Sequence, residues 1–213
     1  MAKHSRNSRR LSPRPETKPR QATGRDRRFW LVVAGLATVL CVVVVAATFA
    51  VTGAFATGGS GSLPPGTQAF AETDHAHVTG TVTYDRVPPA GGAHNPTQLN
   101  CGVYTQPVPN ENAVHSLEHG AVWITYLPTL TADQIAALQR LVTSSYVGTE
   151  RYLILSPYVG LPSPIVASAW GYQLGVDQAS DSRLSDFIRQ FAGGGQGGEA
   201  GGPCTGGVGS PIE

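Results

Sequence analysis

Hydrophobic positions divide this chain into stretches with different periods. From Phe29 to Val51 the apolar character is continuous, with no charge, no Pro and a single Gly, Gly35. Twenty-three residues of helix at about 1.5 Å each span roughly 34 Å, enough to cross a hydrocarbon core of about 30 Å. Beyond residue 71 the periods are those of a globular domain. "TGTVTY" (Thr79–Tyr84) alternates and is β-branched, which predicts a strand. "NENAVHSLEH" (Asn110–His119) predicts a short helix with Asn110 as N-cap, Glu111 in the first turn and Gly120 just past its end. "GAVWITYL" (Gly120–Leu127) and "RYLILSPY" (Arg151–Tyr158) predict strands. Between them "TADQIAALQRLVTSSY" (Thr131–Tyr146) carries Ile135, Leu138, Leu141 and Val142 on one helical face, behind a Thr131/Gln134 capping box. "IVASAWGYQL" (Ile165–Leu174) predicts one returning strand. "DSRLSDFIRQFA" (Asp181–Ala192) predicts a helix capped by Asp181, with Leu184, Phe187, Ile188 and Phe191 inward.

The expected fold class is therefore α+β: a mixed sheet of β-α-β-β-α order packed by two to three helices, plus one N-terminal transmembrane helix. Strand, helix, strand with short links predicts a parallel pair, and the short turn after Tyr158 predicts an antiparallel neighbour. The organisation reads as a disordered basic tail (1–28), a transmembrane helix (29–51), a flexible stalk (52–71), a folded domain (72–208) and a short tail (209–213). "GGGQGGEAGG" (193–202) reads as a further flexible stretch inside that domain.

Charge sharpens this division. Residues 1–28 hold ten Lys and Arg against Glu16 and Asp26, whereas the other 185 residues hold five Arg against twelve acidic residues. The formal net charge of +1 thus hides a +8 tail and a −7 body. A basic tail alone would point to nucleic acid, but here it abuts the apolar run. The positive-inside rule then places residues 1–28 in the cytoplasm and everything after about residue 57 outside the membrane. No nucleic-acid partner is expected; the membrane is, together with an envelope protein partner. "AFA" at Ala54–Ala56 has the look of a cleavage site, but signal-peptide apolar regions run about 7–15 residues. The length of this one favours a retained anchor.

An extracytoplasmic domain permits disulfides. Cys101 and Cys204 are the two cysteines outside the apolar run. A bridge between them would pin the Gly-rich end to the domain. Two reduced thiols, or Cys101 as a soft metal ligand, are the alternatives.

Five of the six histidines fall in the domain: His75, His77, His94, His115 and His119. On a helix at about 100° per residue, Ala113, Val114 and Leu117 share one side. His115 and His119 lie nearly opposite, with Glu118 between the two faces. Imidazoles at i and i+4 stand about 5–6 Å apart at Cβ and can converge on one ion at about 2.0–2.1 Å for zinc. His94 and His77 are the candidate co-ligands, with His75 beside them and Glu118 as ligand or supporting partner. The order His-x-x-Glu-His also matches a zinc-hydrolase pattern in which Glu118 would be the general base, but the following helix supplies no Glu as third ligand. Copper(II) and zinc both suit imidazole. Met1 is the sole methionine, which excludes a thioether copper(I) site, and no organic cofactor is expected.

"YDRVPPAGGAHNP", "NCGVY", "PVPNENAVHSLEHGAVWITY", "LSPYVGLPSPIVASAWG" and "PCTGGVG" together resemble a largely actinobacterial family, domain of unknown function 3105. The resemblance covers about residues 75–208. The family pattern falls on Pro88, Pro89, Gly91, Gly92 and His94, on Asn100, Cys101, Gly102 and Tyr104, and on His115 to Gly120. It implies an N-terminal membrane anchor and makes the His-rich segments and the Cys pair properties of the module. The functional expectation is a single-pass membrane protein whose external domain binds copper or zinc through His77, His94, His115, His119 and Glu118. The alternatives are a non-metal interaction module, whose histidines form a hydrogen-bonded network, and a metallohydrolase.

Overall fold

The computed structural model describes residues 62–145 and 151–212. The basic tail, the apolar run and the start of the stalk lie outside the described residues. Among the described residues no helix is long and apolar enough to cross a membrane.

The central sheet has six strands: β1 (Gln68–Ala69), β2 (Gly102–Val103), β3 (Val122–Tyr126), β4 (Leu153–Pro157), β5 (Ile165–Ala169) and β6 (Tyr172–Val176). Three helices accompany it: α1 (Asn110–Glu118) before β3, α2 (Ala132–Thr143) between β3 and β4, and α3 (Ser182–Phe191) after β6. The sheet order is β1-β6-β5-β3-β4-β2. β3 and β4 are parallel, as the strand–helix–strand reading requires, and β2 continues that parallel edge. β5 and β6 run antiparallel to their neighbours. The class is thus α+β with a mixed sheet.

Both faces of the sheet are covered. Val122, Ile124 and Tyr126 of β3 point to a core shared with Leu138 and Val142 of α2 and with Leu184, Phe187 and Phe191 of α3. Trp123 of β3 and Ile154 of β4 point the other way, toward Ala113, Val114 and Leu117 of α1. Two-sided burial explains why β3, β4 and β5 are largely apolar instead of alternating. The polar side chains among them are paired: Trp123 Nε1 donates to Ser156 Oγ at 2.9 Å, and Thr125 Oγ1 to the Val166 carbonyl at 3.0 Å.

Several local expectations change. Thr79–Tyr84 is not a strand; Val82 N donates instead to Glu111 Oε1 of α1 at 2.9 Å, so a side chain replaces the missing neighbouring strand. The single strand expected over Ile165–Leu174 is a hairpin, β5 and β6, turned at Trp170–Gly171, where Gly171 has φ +74°. The chain after β4 passes β4 and pairs β5 with β3. Gln68–Ala69, within the segment read as stalk, pairs with β6. The N-cap of α1 is Pro109, not Asn110, and no side chain caps it. The caps of α2 and α3 are as expected: Thr131 accepts from Gln134 N, and Asp181 from Arg183 N. The Gln134 side chain does not close the capping box but accepts from Ala179 N at 3.0 Å, tying α2 to the segment before α3.

Candidate metal centre

Helix α1 has two buried sides. Ala113, Val114 and Leu117 pack on the sheet. His115, Glu118 and His119, opposite or flanking them, are also nearly inaccessible, at 4%, 2% and 4% exposure. The helix is covered on its polar side by two segments from distant parts of the chain. One is the pair of stretches around His77 and His94, joined by a parallel bridge in which Val78 N donates to the His94 carbonyl and His94 N to the Ala76 carbonyl. The other is the Gly-rich strap, 193–204. Its Gly193 N and Gly201 N donate to the carbonyls of Gly120 and His119, and Tyr152 Oη donates to the Gly202 carbonyl.

The strap's glycines serve close approach. A Cβ on Gly202 would lie 2.6 Å from the His119 ring, and one on Gly197 would collide with the Glu118 backbone. The composition that reads as flexible is what lets the strap lie flat on the helix. Its end is held by Cys204, which lies at disulfide distance from Cys101 with Cα atoms 5.3 Å apart. Cys101 is therefore not available as a metal ligand.

All five histidines of the domain meet here. The His115 ring lies 4.6 Å from that of His119, 4.8 Å from His77 and 4.9 Å from His94. His75 stacks on Trp170 at 4.6 Å and contacts Glu118 Oε1 through Nδ1. Sequence reasoning named His77, His94, His115, His119 and Glu118, and the structure unites them. It did not name Glu199, whose carboxylate lies 3.2 Å from His119 Nε2 and 3.6 Å from His115 Nε2. The available signal was that Glu199 is the one charged residue in the Gly-rich stretch.

Backbone carbonyls fix the ring orientations. His94 Nδ1 donates to the Gly92 carbonyl at 2.8 Å, His115 Nδ1 to Asn95 at 2.6 Å, and His119 Nδ1 to Pro203 at 2.7 Å. A carbonyl only accepts, so each Nδ1 carries the proton and each neutral ring presents its lone pair at Nε2. Those lone pairs converge. His115 Nε2 and His119 Nε2 are 3.0 Å apart. His94 Nε2 and Glu118 Oε2 are 2.9 Å apart, yet they make no hydrogen bond and are buried without any other hydrogen-bond partner. His77 Nε2 stands 3.7 Å from the same carboxylate oxygen. Acceptors facing acceptors at such distances can be reconciled by a shared positive charge, either a proton on one ring nitrogen or a metal ion.

Electrostatics bear on two of the donors, His115 and Glu199. Burial chiefly, with the neighbouring imidazoles His119, His94 and His77, lowers the His115 pKa below its usual 6.5 against the opposing Asn95 hydrogen bond. Burial opposes ionisation of Glu199, but a hydrogen bond from His119 and the charges of His115, His119 and His77, each of which requires a proton on the ring nitrogen that a metal would take, outweigh it and hold the carboxyl below its usual range. A metal requires neutral imidazole and ionised carboxylate.

Two donor sets result: His77, His94, His115 and Glu118, and separately His115, His119 and Glu199, with donor atoms in each set within 4.8 Å of one another. A family model described as "Protein of unknown function (DUF3105)" matches residues 75–206, more than half of the chain. The chain belongs to this family. No curated protein and no solved structure matches it significantly. The DUF3105 match begins at His75 and ends two residues beyond Cys204. All seven side chains of the centre and both cysteines therefore lie inside the DUF3105 module, while the apolar run 29–51 lies outside it.

Proposed function

We propose that this chain is a single-pass membrane protein whose extracytoplasmic domain binds a transition metal ion, zinc or copper(II), for metal handling in the cell envelope. The observation that carries the metal assignment is the convergence of three Nε2 lone pairs, each fixed by an Nδ1–carbonyl hydrogen bond, on one another and on two carboxylates. Orientation of ligand imidazoles through their other nitrogen is the usual supporting arrangement of protein metal sites. For metal–donor bonds of about 2.0–2.1 Å, donors on one ion are about 2.9 Å apart at a right angle and about 3.4 Å apart at the tetrahedral angle. The distances of 2.9, 3.0 and 3.2 Å in the cluster fall in that range. Imidazole and carboxylate without thiolate or thioether suit zinc and copper(II).

The envelope location is supported by the charge-free run 29–51, the basic flank before it, and a cysteine pair at disulfide distance. A general base needs a carboxylate oxygen free to face a reacting water; both Glu118 oxygens face imidazoles, which favours binding over hydrolysis.

Metal analysis of the full-length chain, purified in detergent, stripped with chelator and reloaded, tests the assignment. The wild type is expected to retain stoichiometric zinc or copper, and a His94→Ala/His115→Ala chain to retain little. A wild type that holds no ion, and whose melting temperature is unmoved by either metal, would make the cluster a hydrogen-bonded structural network instead.

A further inference from the structure

His115 has one free nitrogen. Its Nδ1 is committed to the Asn95 carbonyl, yet Nε2 belongs to both donor sets. One lone pair binds one ion, so the two sets cannot both be complete. With His115 on the inner side, the inner set has four donors, a closed complement for zinc, and the strap side is left with His119 and Glu199 alone. With His115 on the strap side, that position has three donors and room for a fourth from outside, the open complement of a reactive site. The strap position also carries the more exposed carboxylate: the Glu199 side chain is 49% accessible, against 3% for Glu118.

Resting on the metal reading above, we propose that the centre is a two-position exchange site for a single ion. The ion rests at His77, His94, His115 and Glu118. It leaves and enters through His115, His119 and Glu199, with His115 Nε2 as the ligand common to both positions. The external partner is a metal carrier that presents a nitrogen, oxygen or sulfur donor to the open coordination position. No covalent bond or electron is transferred; one ligand set replaces another around the ion. Glu199 is thus an entry ligand and not part of the resting complement.

The sign of one rate tests this. The full-length chain is loaded with one equivalent of zinc, and transfer to excess nitrilotriacetate is followed by stopped-flow. A ligand that merely holds the ion speeds release when removed. Under the exchange mechanism Glu199→Gln slows transfer, by about tenfold, the lower end of what a lost supporting contact does at metal sites. His77→Ala, which opens the resting position, speeds it. Binding of one equivalent per wild-type chain, with these opposite signs, supports the proposal. Two equivalents of similar affinity, or transfer from Glu199→Gln as fast as or faster than from wild type, overturns it while leaving the metal assignment intact. A wild-type chain that takes up no zinc overturns the assignment itself, before any rate is read.

Discussion

A helical wheel places His115 and His119 away from the apolar side of α1, which in an isolated helix means water. In the folded domain they are 4% exposed, because the strap covers His119 and the segments that carry His77 and Asn95 cover His115. The covering depends on single residues. Gly202 is the sharpest case: a methyl group there would sit 2.6 Å from the His119 ring, and the next carbonyl, that of Pro203, orients His119 through Nδ1. Gly202→Ala must push the strap off the ring or turn the ring away. Overpacking of this kind costs about 1–3 kcal/mol, readable by denaturant titration of the metal-free protein. Loss of the Pro203 contact should weaken metal binding about 10- to 100-fold, readable by competition with a chromogenic chelator. Ala200, in the same strap, is exposed, so Ala200→Ser should change neither. The histidines were legible in the sequence because spacing and residue type carry their chemistry. Glu199 was not, because the glycines around it read as freedom when they serve proximity.

Among the elements, those with one clear apolar phase were legible. α2 and α3 are amphipathic, and their caps fell where Thr131 and Asp181 predicted. β1 and β2, of two residues each, carry no period. The β5–β6 turn was hidden because Trp170 and Tyr172 continue the apolar run through it, and the strand order because strands buried on both faces have no phase to orient them. The cap of α3 gives a test by pH. The Asp181 carboxylate accepts from Arg183 N at 3.0 Å and Nε at 3.0 Å, and from Nη2 at 2.6 Å. The Arg183 side-chain hydrogen bonds, foremost, and the backbone one hold its carboxyl below its usual 3.8. A lowered folded-state pKa means that the unfolded chain binds the proton more readily, so this stabilisation is complete above about pH 4 and is lost as the pH falls through the folded value. Asp181→Asn keeps a capping side chain but cannot titrate. Its stability deficit relative to wild type, measured by urea denaturation, should be present at pH 7 and shrink toward zero on acidification below pH 3.8. Asp181→Ala should cost about 1 kcal/mol at neutral pH through loss of the cap.

Across the described domain, a cysteine pair at disulfide distance links the edge of the sheet to the candidate metal centre. Cys101 immediately precedes β2, and Cys204 immediately follows Pro203, whose carbonyl orients His119. The pair closes a loop spanning 103 positions, for which loop-closure entropy alone amounts to about 4–5 kcal/mol before any native-state strain. A Cys101→Ser/Cys204→Ser chain should therefore melt well below wild type. It should also bind metal more weakly, because the strap that brings Glu199 and the Pro203 carbonyl to the centre loses its anchor. Coupling between two sites is reciprocal. If opening the Cys101–Cys204 link weakens metal binding by some factor, bound metal must disfavour the opened form by the same factor. Metal-loaded protein should consequently expose fewer reactive thiols than metal-free protein at equal poise in a thiol–disulfide buffer, as counted by alkylation and mass measurement. Equal labelling of the two forms would show that the strap stays seated without its anchor. In that case the polar contacts at Gly193, Gly201 and Gly202, and not the cysteines, hold Glu199 against the histidines.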